Sequence, residues 1–155
     1  MNTLEDEFNK ALSYAYRVLA YRRRTLLEMK ARLEKKGFAP EVSNCVLDKL
    51  TVYGFLNDAA FARLWVEQRR MRRGIFGLKM ELLEKGVDSR IVEQILSEIN
   101  PAEEFNSALE LAKKKMNISG GLCSPSGIAD FLKRRGFSYE VIRKVCIAVA
   151  DRELS

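Results

Sequence analysis

Histidine is absent from this sequence, which removes the commonest metal ligand and the usual general base near neutral pH. Neither a GxxxxGK[ST] phosphate loop nor a GxSxG nucleophile elbow is present. The three cysteines, Cys45, Cys123 and Cys146, are far apart and form no CxxC pair. Two of them, Cys45 and Cys146, fall in apolar helical patterns, where a reduced cysteine packs as a small hydrophobic residue. We therefore expect neither an enzyme nor a site for a metal or another cofactor.

Glycine and proline are scarce, with 9 and 3 residues among 155, which leaves few turn-forming residues for an all-β fold. No stretch approaches the ~20 consecutive apolar residues of a membrane-spanning helix. The opening residues, MNTLEDEFNK, are acidic and lack the basic and then apolar order of a secretory signal. We therefore expect a cytoplasmic protein that makes no contact with a membrane.

Apolar and charged residues, by contrast, are plentiful. Hydrophobic residues make up 47% of the chain, enough to bury a core, and charged residues make up 31%. Lysine and arginine number 27 against 21 aspartates and glutamates, so the net charge is +6. This excess favours a partner with a negative surface, such as nucleic acid or an acidic protein face.

One short pattern occurs three times, as LEKKGF at residues 33–38, LLEKGV at 82–87 and LKRRGF at 132–137. Its glycines, Gly37, Gly86 and Gly136, are 49 and 50 residues apart, a period typical of stacked helical repeats. Apolar residues at steps of four surround each glycine, which indicates amphipathic helices. The aligned positions are Met29, Leu78 and Ile128; Leu33, Leu82 and Leu132; Val42, Ile91 and Val141; Val46, Ile95 and Val145; and Leu50, Ile99 and Val149.

Each repeated glycine is expected to end a helix in the left-handed conformation, as in a Schellman cap. That cap brings together the residue four before the glycine and the residue after it, and all three pairs are apolar. The pairs are Leu33 with Phe38, Leu82 with Val87, and Leu132 with Phe137. The next helix then starts with Ala39 and Pro40, or with Asp88 or Ser138 as N-cap.

A further helix precedes the two helices that flank each repeated glycine. Its apolar stripe contains Leu12, Ala15, Tyr16 and Leu19 in the first copy, Phe61, Leu64 and Trp65 in the second, and Phe105, Ala108, Leu109 and Ala112 in the third. The third copy is longer, and we place its extra residues in a flexible loop at residues 117–124, NISGGLCS. The sequence therefore predicts an all-α fold of three tandem three-helix repeats, at residues 1–53, 54–99 and 100–155. A unit of ~50 residues is marginal alone, so we expect the units to stack.

Clusters of basic residues recur in each copy and are candidate binding residues for an anionic partner. Cations near a helix C-terminus interact favourably with the helix dipole, which accounts for Lys35, Lys36 and Lys85. Four arginines within residues 69–73 exceed that need, because like charges repel one another, and the planar guanidinium binds phosphate or carboxylate bidentately. The candidates are Arg22, Arg23, Arg24, Arg69, Arg70, Arg72, Arg73, Lys113, Lys114, Lys115, Arg134 and Arg135.

Aromatic residues raise the alternative of base stacking. Tyr16, Phe61 and Trp65 fall on the apolar stripes, so we expect them to pack in the core. Tyr14 and Tyr21 lie off the stripe and are better candidates for contact at the surface.

Several stretches resemble the RecX family of bacterial recombination regulators: residues 11–38, GFLNDAAFARLWVEQRRMRRG at 54–74, LLEKGVDSRIVEQIL at 82–96 and FLKRRGFSYEVI at 131–142. The resemblance implies an elongated, curved array of three-helix repeats. It also implies binding in the helical groove of RecA filaments on DNA, with repression of the ATPase, strand exchange and co-protease activities of RecA. Thr25 stands where relatives often have serine, which keeps a hydroxyl cap.

Two other functions stay open at this point. A non-specific DNA-binding protein that acts without RecA would fit the net charge, but the helix at residues 89–99, SRIVEQILSEI, carries acids on its polar side, which disfavours contact with phosphate. A helical scaffold for another acidic protein is the second alternative. DNA contact is expected to be weak and non-specific or to occur through RecA. We expect a monomer, because no spare apolar face is evident.

Overall fold

The computed structural model describes residues 3–121 and 124–153, and for residues 152 and 153 the backbone alone; Cys123 lies outside these ranges. These ranges contain nine α-helices and no β-strand, which confirms the predicted all-α class. The helices are α1 (Thr3–Tyr21), α2 (Leu26–Lys36), α3 (Pro40–Val52), α4 (Asp58–Arg69), α5 (Ile75–Glu84), α6 (Ser89–Ser97), α7 (Pro101–Ile118), α8 (Pro125–Arg134) and α9 (Tyr139–Glu153). None of the helices so described is long and apolar enough to span a membrane.

Each set of three consecutive helices encloses its own hydrophobic core, and we call these sets the first, second and third triplets. Leu33, Leu82 and Leu132 are completely buried, one at the centre of each core. Met29 and Leu78, one turn earlier, are 0% and 1% exposed. These aligned positions therefore pack equivalently in space, as predicted, whereas in the second copy Ile91 and Ile99 are only half-buried and Val92 is completely buried.

The three glycines adopt the predicted left-handed conformation, with φ of 97° at Gly37, 87° at Gly86 and 85° at Gly136. In each case the amide of the next residue donates to the carbonyl five residues earlier, over 3.1–3.2 Å, as in Phe38 to Leu33. This hydrogen bond is the mark of a Schellman cap and satisfies a carbonyl that the helix end leaves free. The N-caps agree as well: Asp88 accepts from the amide of Arg90, and Ser138 accepts from that of Val141.

The buried stripe of α1 is displaced by about one position towards the N-terminus from the predicted stripe of Leu12, Ala15, Tyr16 and Leu19. Ala11, Ala15 and Val18 are buried, whereas Tyr16 is 38% exposed. Small alanines allow the backbone of α1 to approach α3 closely, and this packing decides which side of the helix faces inward. Cys45, which we expected to pack as a hydrophobic residue, lies exposed on α3.

The third copy also differs, because α7 continues to Ile118. The predicted loop at residues 117–124 thus begins later than expected, and residues 122 and 123 lie outside the described ranges. Lys113, Lys114 and Lys115 belong to the last turns of α7 instead of following it. A run of residues with good helix propensity from Leu109 to Met116 extends the helix beyond the apolar stripe.

The triplets meet through their middle helices, α2, α5 and α8, which run head to tail. At the first junction, Thr25 Oγ1, at the N-terminus of α2, donates to the Lys85 carbonyl at the C-terminus of α5 over 2.6 Å. At the second, the Gly74 amide, at the N-terminus of α5, donates to the Arg135 carbonyl at the C-terminus of α8 over 2.9 Å. At each junction a carbonyl that a helix end leaves unpaired thus accepts from a donor at the start of the next middle helix, a hydroxyl at the first junction and an amide at the second.

A carboxylate completes each junction in the same way. Asp58, in the first turn of α4, accepts from the Leu26 amide over 2.9 Å. Glu104, in the first turns of α7, accepts from the Ile75 amide over 3.1 Å. Leu26 and Ile75 are the first residues of α2 and α5, so the two contacts are equivalent and the same interface occurs twice.

The surface area agrees with an elongated stack. The accessible surface of the chain is 10189 Å², whereas a compact monomer of this mass exposes roughly 7,900 Å². Three small cores joined end to end leave more surface than one large core, as the repeat prediction requires. The curvature of the array and the repeat boundaries after residues 53 and 99 stay predictions.

Glu104 gives a testable pH dependence. The side chain is 9% exposed, and burial raises its pKa above the ordinary glutamate value, although the hydrogen bond from the Ile75 amide acts in the opposite direction. A raised pKa means that the folded chain binds the proton more tightly than the unfolded chain does. The contribution of Glu104 to stability therefore grows as the pH falls through the folded-state pKa towards about 4.3.

Replacing Glu104 by glutamine keeps a carbonyl oxygen for the Ile75 amide and removes the buried charge. We expect the variant to be more stable than the parent at neutral pH, and we expect this advantage to shrink as the solution is acidified through that window. Urea unfolding of both proteins at a series of pH values measures the difference. A difference in the free energy of unfolding that stays constant with pH would show that Glu104 does not titrate at the junction.

Candidate anion-binding surface

Many of the candidate basic residues line three adjoining grooves. Arg22 and Arg23 line the first groove together with Trp65 and Gln68. Trp65 and Gln68 also line the second groove, whose cations are Arg69, Arg72, Arg73 and Arg135. Arg135 in turn lines the third groove, with Lys114 and Lys115. Because neighbouring grooves share residues, they form one surface that crosses both junctions. We call its cations the basic strip: Arg22, Arg23, Arg69, Arg72, Arg73, Lys114, Lys115 and Arg135.

The head-to-tail docking of the middle helices brings these residues together. Arg135 is the C-cap of α8, and the docking of α8 against α5 places its Nη1 3.5 Å from the carbonyl of Arg72. Arg22 and Arg23 follow α1 and reach the second triplet in the same manner, across the first junction. Residues from four separate stretches of sequence thereby share a single face.

Glu81 holds the centre of the strip in place. Its carboxylate accepts from Trp65 Nε1 over 2.8 Å and from Arg69 Nε and Nη2 over 3.1 and 3.2 Å. Arg73 Nε lies 3.1 Å from Oε1 of Glu81, the oxygen that also accepts from Arg69 Nη2. The Arg69 guanidinium also stacks 4.7 Å from the centre of the Trp65 ring. Arg69 and Arg73 are therefore positioned and partly neutralised from within the second triplet.

Glu28 has the corresponding role at the first junction. It completes a capping box with Thr25 and pairs with Arg22 Nη2 over 2.6 Å and with Lys85 Nζ over 3.6 Å. Burial by itself would raise the pKa of Glu28, but the hydrogen bonds from Arg22 and Thr25 and the charges of Lys85 and Arg22 hold it below the ordinary value. No sequence pattern identified Glu28 or Glu81 as partners of these cations, because each contact depends on how the helices pack.

Arg23, Arg72 and Lys114 are the cations of the strip most available to a partner. All three are exposed, and none forms an ion pair within the described ranges. Lys115 and Arg135 lie 4.7 and 5.0 Å from the centre of the Phe131 ring, which orients them without neutralising their charge. The strip thus combines positioned arginines with exposed cations at both junctions.

Four candidates lie away from the strip. Arg70 pairs with Glu103 over 3.4 Å, and Lys113 pairs with Glu110 over 3.2 Å. Arg134 Nε lies 3.4 Å from the Asp130 carbonyl. Arg24 is 9% exposed and lines a different pocket. In the part of the chain that the structure describes, no three cysteine, aspartate or glutamate side chains come together as a metal ion would require.

The aromatic residues divide only in part as the sequence predicts, because Tyr16 is exposed and Tyr14 packs against the first core. Phe61 is 6% exposed and stacks on Trp65 with 5.8 Å between ring centres, so both belong to the second core, although Trp65 also reaches the grooves. Tyr21 is 90% exposed. Tyr14 is half-buried against Phe38. Tyr16, expected in the core, instead contacts Phe55 edge to face at the surface.

Comparison with known proteins gives consistent matches. The family model described as the first three-helix domain of RecX matches residues 11–50, and the one described as the second three-helix domain of RecX matches residues 57–96. A regulatory protein RecX from Amycolatopsis mediterranei (strain U-32) is 34% identical over 149 residues, which cover 90% of this chain and 85% of that protein. Another from Mycobacterium avium (strain 104) is 33% identical over 152 residues, covering 93% and 88%.

Solved structures agree on the fold. The crystal structure of RecX from Lactobacillus salivarius superposes with a TM-score of 0.81, covering 97% of this chain and 99% of that one at 23% identity. A second crystal structure, of a regulatory protein RecX, has a TM-score of 0.80 at 22% identity and covers 91% and 73%. At these identities the likeness concerns the fold alone.

Proposed function

Since the chain belongs to the RecX family, we propose that it is a regulator of RecA that binds along RecA–DNA filaments in their groove. Bound there, it inhibits the ATPase, strand exchange and co-protease activities of RecA. The observation that carries this proposal is the continuity of the basic strip across both junctions. A surface of this kind suits a long, repetitive and negatively charged partner better than a small ligand.

The dimensions of the stack support the proposal. The middle helices contain 11, 10 and 10 residues, and at 1.5 Å per residue their row is roughly 45 Å long. A ligand of that length touches more than one protomer of a filament, and each contact after the first benefits from a high effective concentration. Moderate contacts by each triplet then add up to stable binding.

Inhibition follows from binding without any chemical step. If the rigid stack fits one filament geometry better than another, binding shifts the population towards the favoured geometry. A geometry that does not turn over nucleotide would lower the ATPase rate. A stack that lies in the groove would also obstruct an incoming duplex or a protein substrate of the co-protease activity.

The test is a comparison of two titrations at physiological salt. The protein is titrated against fluorescently labelled DNA, once bare and once coated with RecA, and the ATPase rate is followed in the second series. We expect tighter binding to the coated DNA and a fall in ATPase rate over the same concentration range. Equal affinity for both forms, with an unchanged ATPase rate, would instead support non-specific DNA binding without RecA.

A further inference from the structure

The first triplet carries a second cationic site that is separate from the basic strip. A pocket of about 360 Å³ lies between α1 and α2. Its lining includes Arg17, Arg24, Arg32 and Lys36, together with Tyr14 and Tyr21, and contains no aspartate or glutamate. Four cations around one small pocket repel one another unless an anion lies between them.

Arg24 is the unusual member of this pocket. Its side chain is 9% exposed, and its buried Nε has no hydrogen-bond partner in the described structure. Buried polar groups are normally paired, because leaving one unpaired destabilises the folded chain, and more so when the group is charged. Burial, together with the charges of Arg22 and Arg32, lowers the pKa of Arg24. The guanidinium is therefore held at the pocket in a state that a bound anion would stabilise.

The surroundings favour phosphate over carboxylate. Several arginines and a lysine that converge from different stretches of chain match the spread of charge on a phosphate group. Tyr21, at the rim, is 90% exposed and offers a free aromatic face. The Tyr14 ring is already covered, since Lys36 Nζ lies 5.4 Å from its centre. An exposed aromatic ring beside a phosphate site is the usual arrangement for single-stranded nucleic acid, because a base stacks on the ring next to its own backbone.

We propose that this pocket binds a phosphodiester of single-stranded nucleic acid. Arg24, Arg32 and Lys36 contact the phosphate, and a neighbouring base stacks on Tyr21. The inference goes beyond filament binding through the strip. It needs no RecA, and failure of either proposal leaves the other standing.

The main test compares two variants with the same change in charge. Arg32→Gln with Lys36→Gln removes two exposed cations from the pocket, whereas Lys30→Gln with Arg90→Gln removes two that lie elsewhere on α2 and α6. Binding of the purified protein to a labelled oligothymidylate is measured by fluorescence anisotropy at several salt concentrations. We expect the pocket variant to bind at least about tenfold more weakly and the slope of log K against log salt to become shallower by about 0.7, since one phosphate contact is lost and each such contact on a single strand contributes about 0.7. The control variant is expected to keep the parent slope.

Tyr21 separates stacking from charge. Tyr21→Phe is expected to bind like the parent, and Tyr21→Ala about tenfold more weakly with an unchanged salt slope, because an aromatic face and not a charge is lost. Arg24→Gln tests the buried residue itself, and circular dichroism checks that it folds. If it does not fold, the Arg32 and Lys36 variant, whose side chains are exposed, decides the question.

Two results would overturn the proposal. One is equal loss of affinity and slope in the pocket and control variants, which would mean that the pocket contributes only net charge. The other is a pocket variant that keeps the parent affinity for oligothymidylate but no longer binds polyglutamate. That result would assign the pocket to an acidic protein segment. Inhibition of the RecA ATPase is measured separately, so it bears on the strip alone.

Discussion

Replacing Arg23 and Arg72 by glutamate is expected to raise the concentration needed for half-inhibition of the RecA ATPase at least about a hundredfold, with little change in helix content or unfolding midpoint. The two residues lie on the basic strip at opposite sides of Trp65 and Gln68, and both are exposed. Each charge-assisted hydrogen bond to an anionic partner contributes roughly 1.5–3 kcal/mol, so loss of two accounts for that factor. Reversal of the charge adds repulsion.

The choice of Arg23 and Arg72 follows from the ion pairs. Glutamates in place of Arg69 and Arg73 would leave the Glu81 carboxylate beside new negative charges and would destabilise the second triplet, so a loss of inhibition could not be assigned to binding. The matched control is Arg90→Glu with Arg143→Glu, which makes the same charge change at exposed sites outside the grooves. If the control loses as much inhibition as the strip variant, net charge and not the strip governs binding.

The second large effect is expected at the junction between the second and third triplets. Alanine at Gly136 should lower the free energy of unfolding by roughly 3–5 kcal/mol, of which roughly 1–2 kcal/mol is the strain of the left-handed conformation. The remainder arises because the new Cβ would clash with the backbone N and Cα of Gly77. Backbone atoms cannot rotate aside, so the two helix ends would separate and lose the hydrogen bond from the Gly77 amide to the Gly136 carbonyl.

The three equivalent glycines provide a graded control. Gly37 has a similar positive φ, but a Cβ there would meet nothing within 4 Å, so Gly37→Ala should cost only the strain. At Gly86 the Cβ would meet Leu27, whose Cδ2 can rotate away but whose Cβ moves only with the backbone of α2, so Gly86→Ala should cost more than Gly37→Ala and less than Gly136→Ala. Urea unfolding of the three variants, followed by circular dichroism, measures the order. Equal costs at the three glycines would show that the junctions do not depend on close backbone contact.

The repeating unit is specified locally in the amino-acid sequence. A Schellman cap needs only a glycine, an apolar residue four before it and another directly after it, so Leu33, Gly37 and Phe38 specify it locally. Apolar residues at steps of four likewise identify the buried side of α3, α6 and α9. The cap depends on contacts within about one helical turn, so the local sequence specifies it, whereas packing against α3 decided which side of α1 is buried.

The tertiary structure alone decided which basic residues act together. Arg135 lies beside Arg72, which is 63 residues earlier, because the end of α8 docks on the start of α5. The same docking explains Gly77, which looks like a weak point in a helix but is the site where Gly136 makes its close contact. The burial of Arg24 and the binding of Arg69 to Glu81 also depend on how separate helices pack. Hydrogen bonds and desolvation between residues distant in sequence have no local pattern, so the chain must be folded before they can be known.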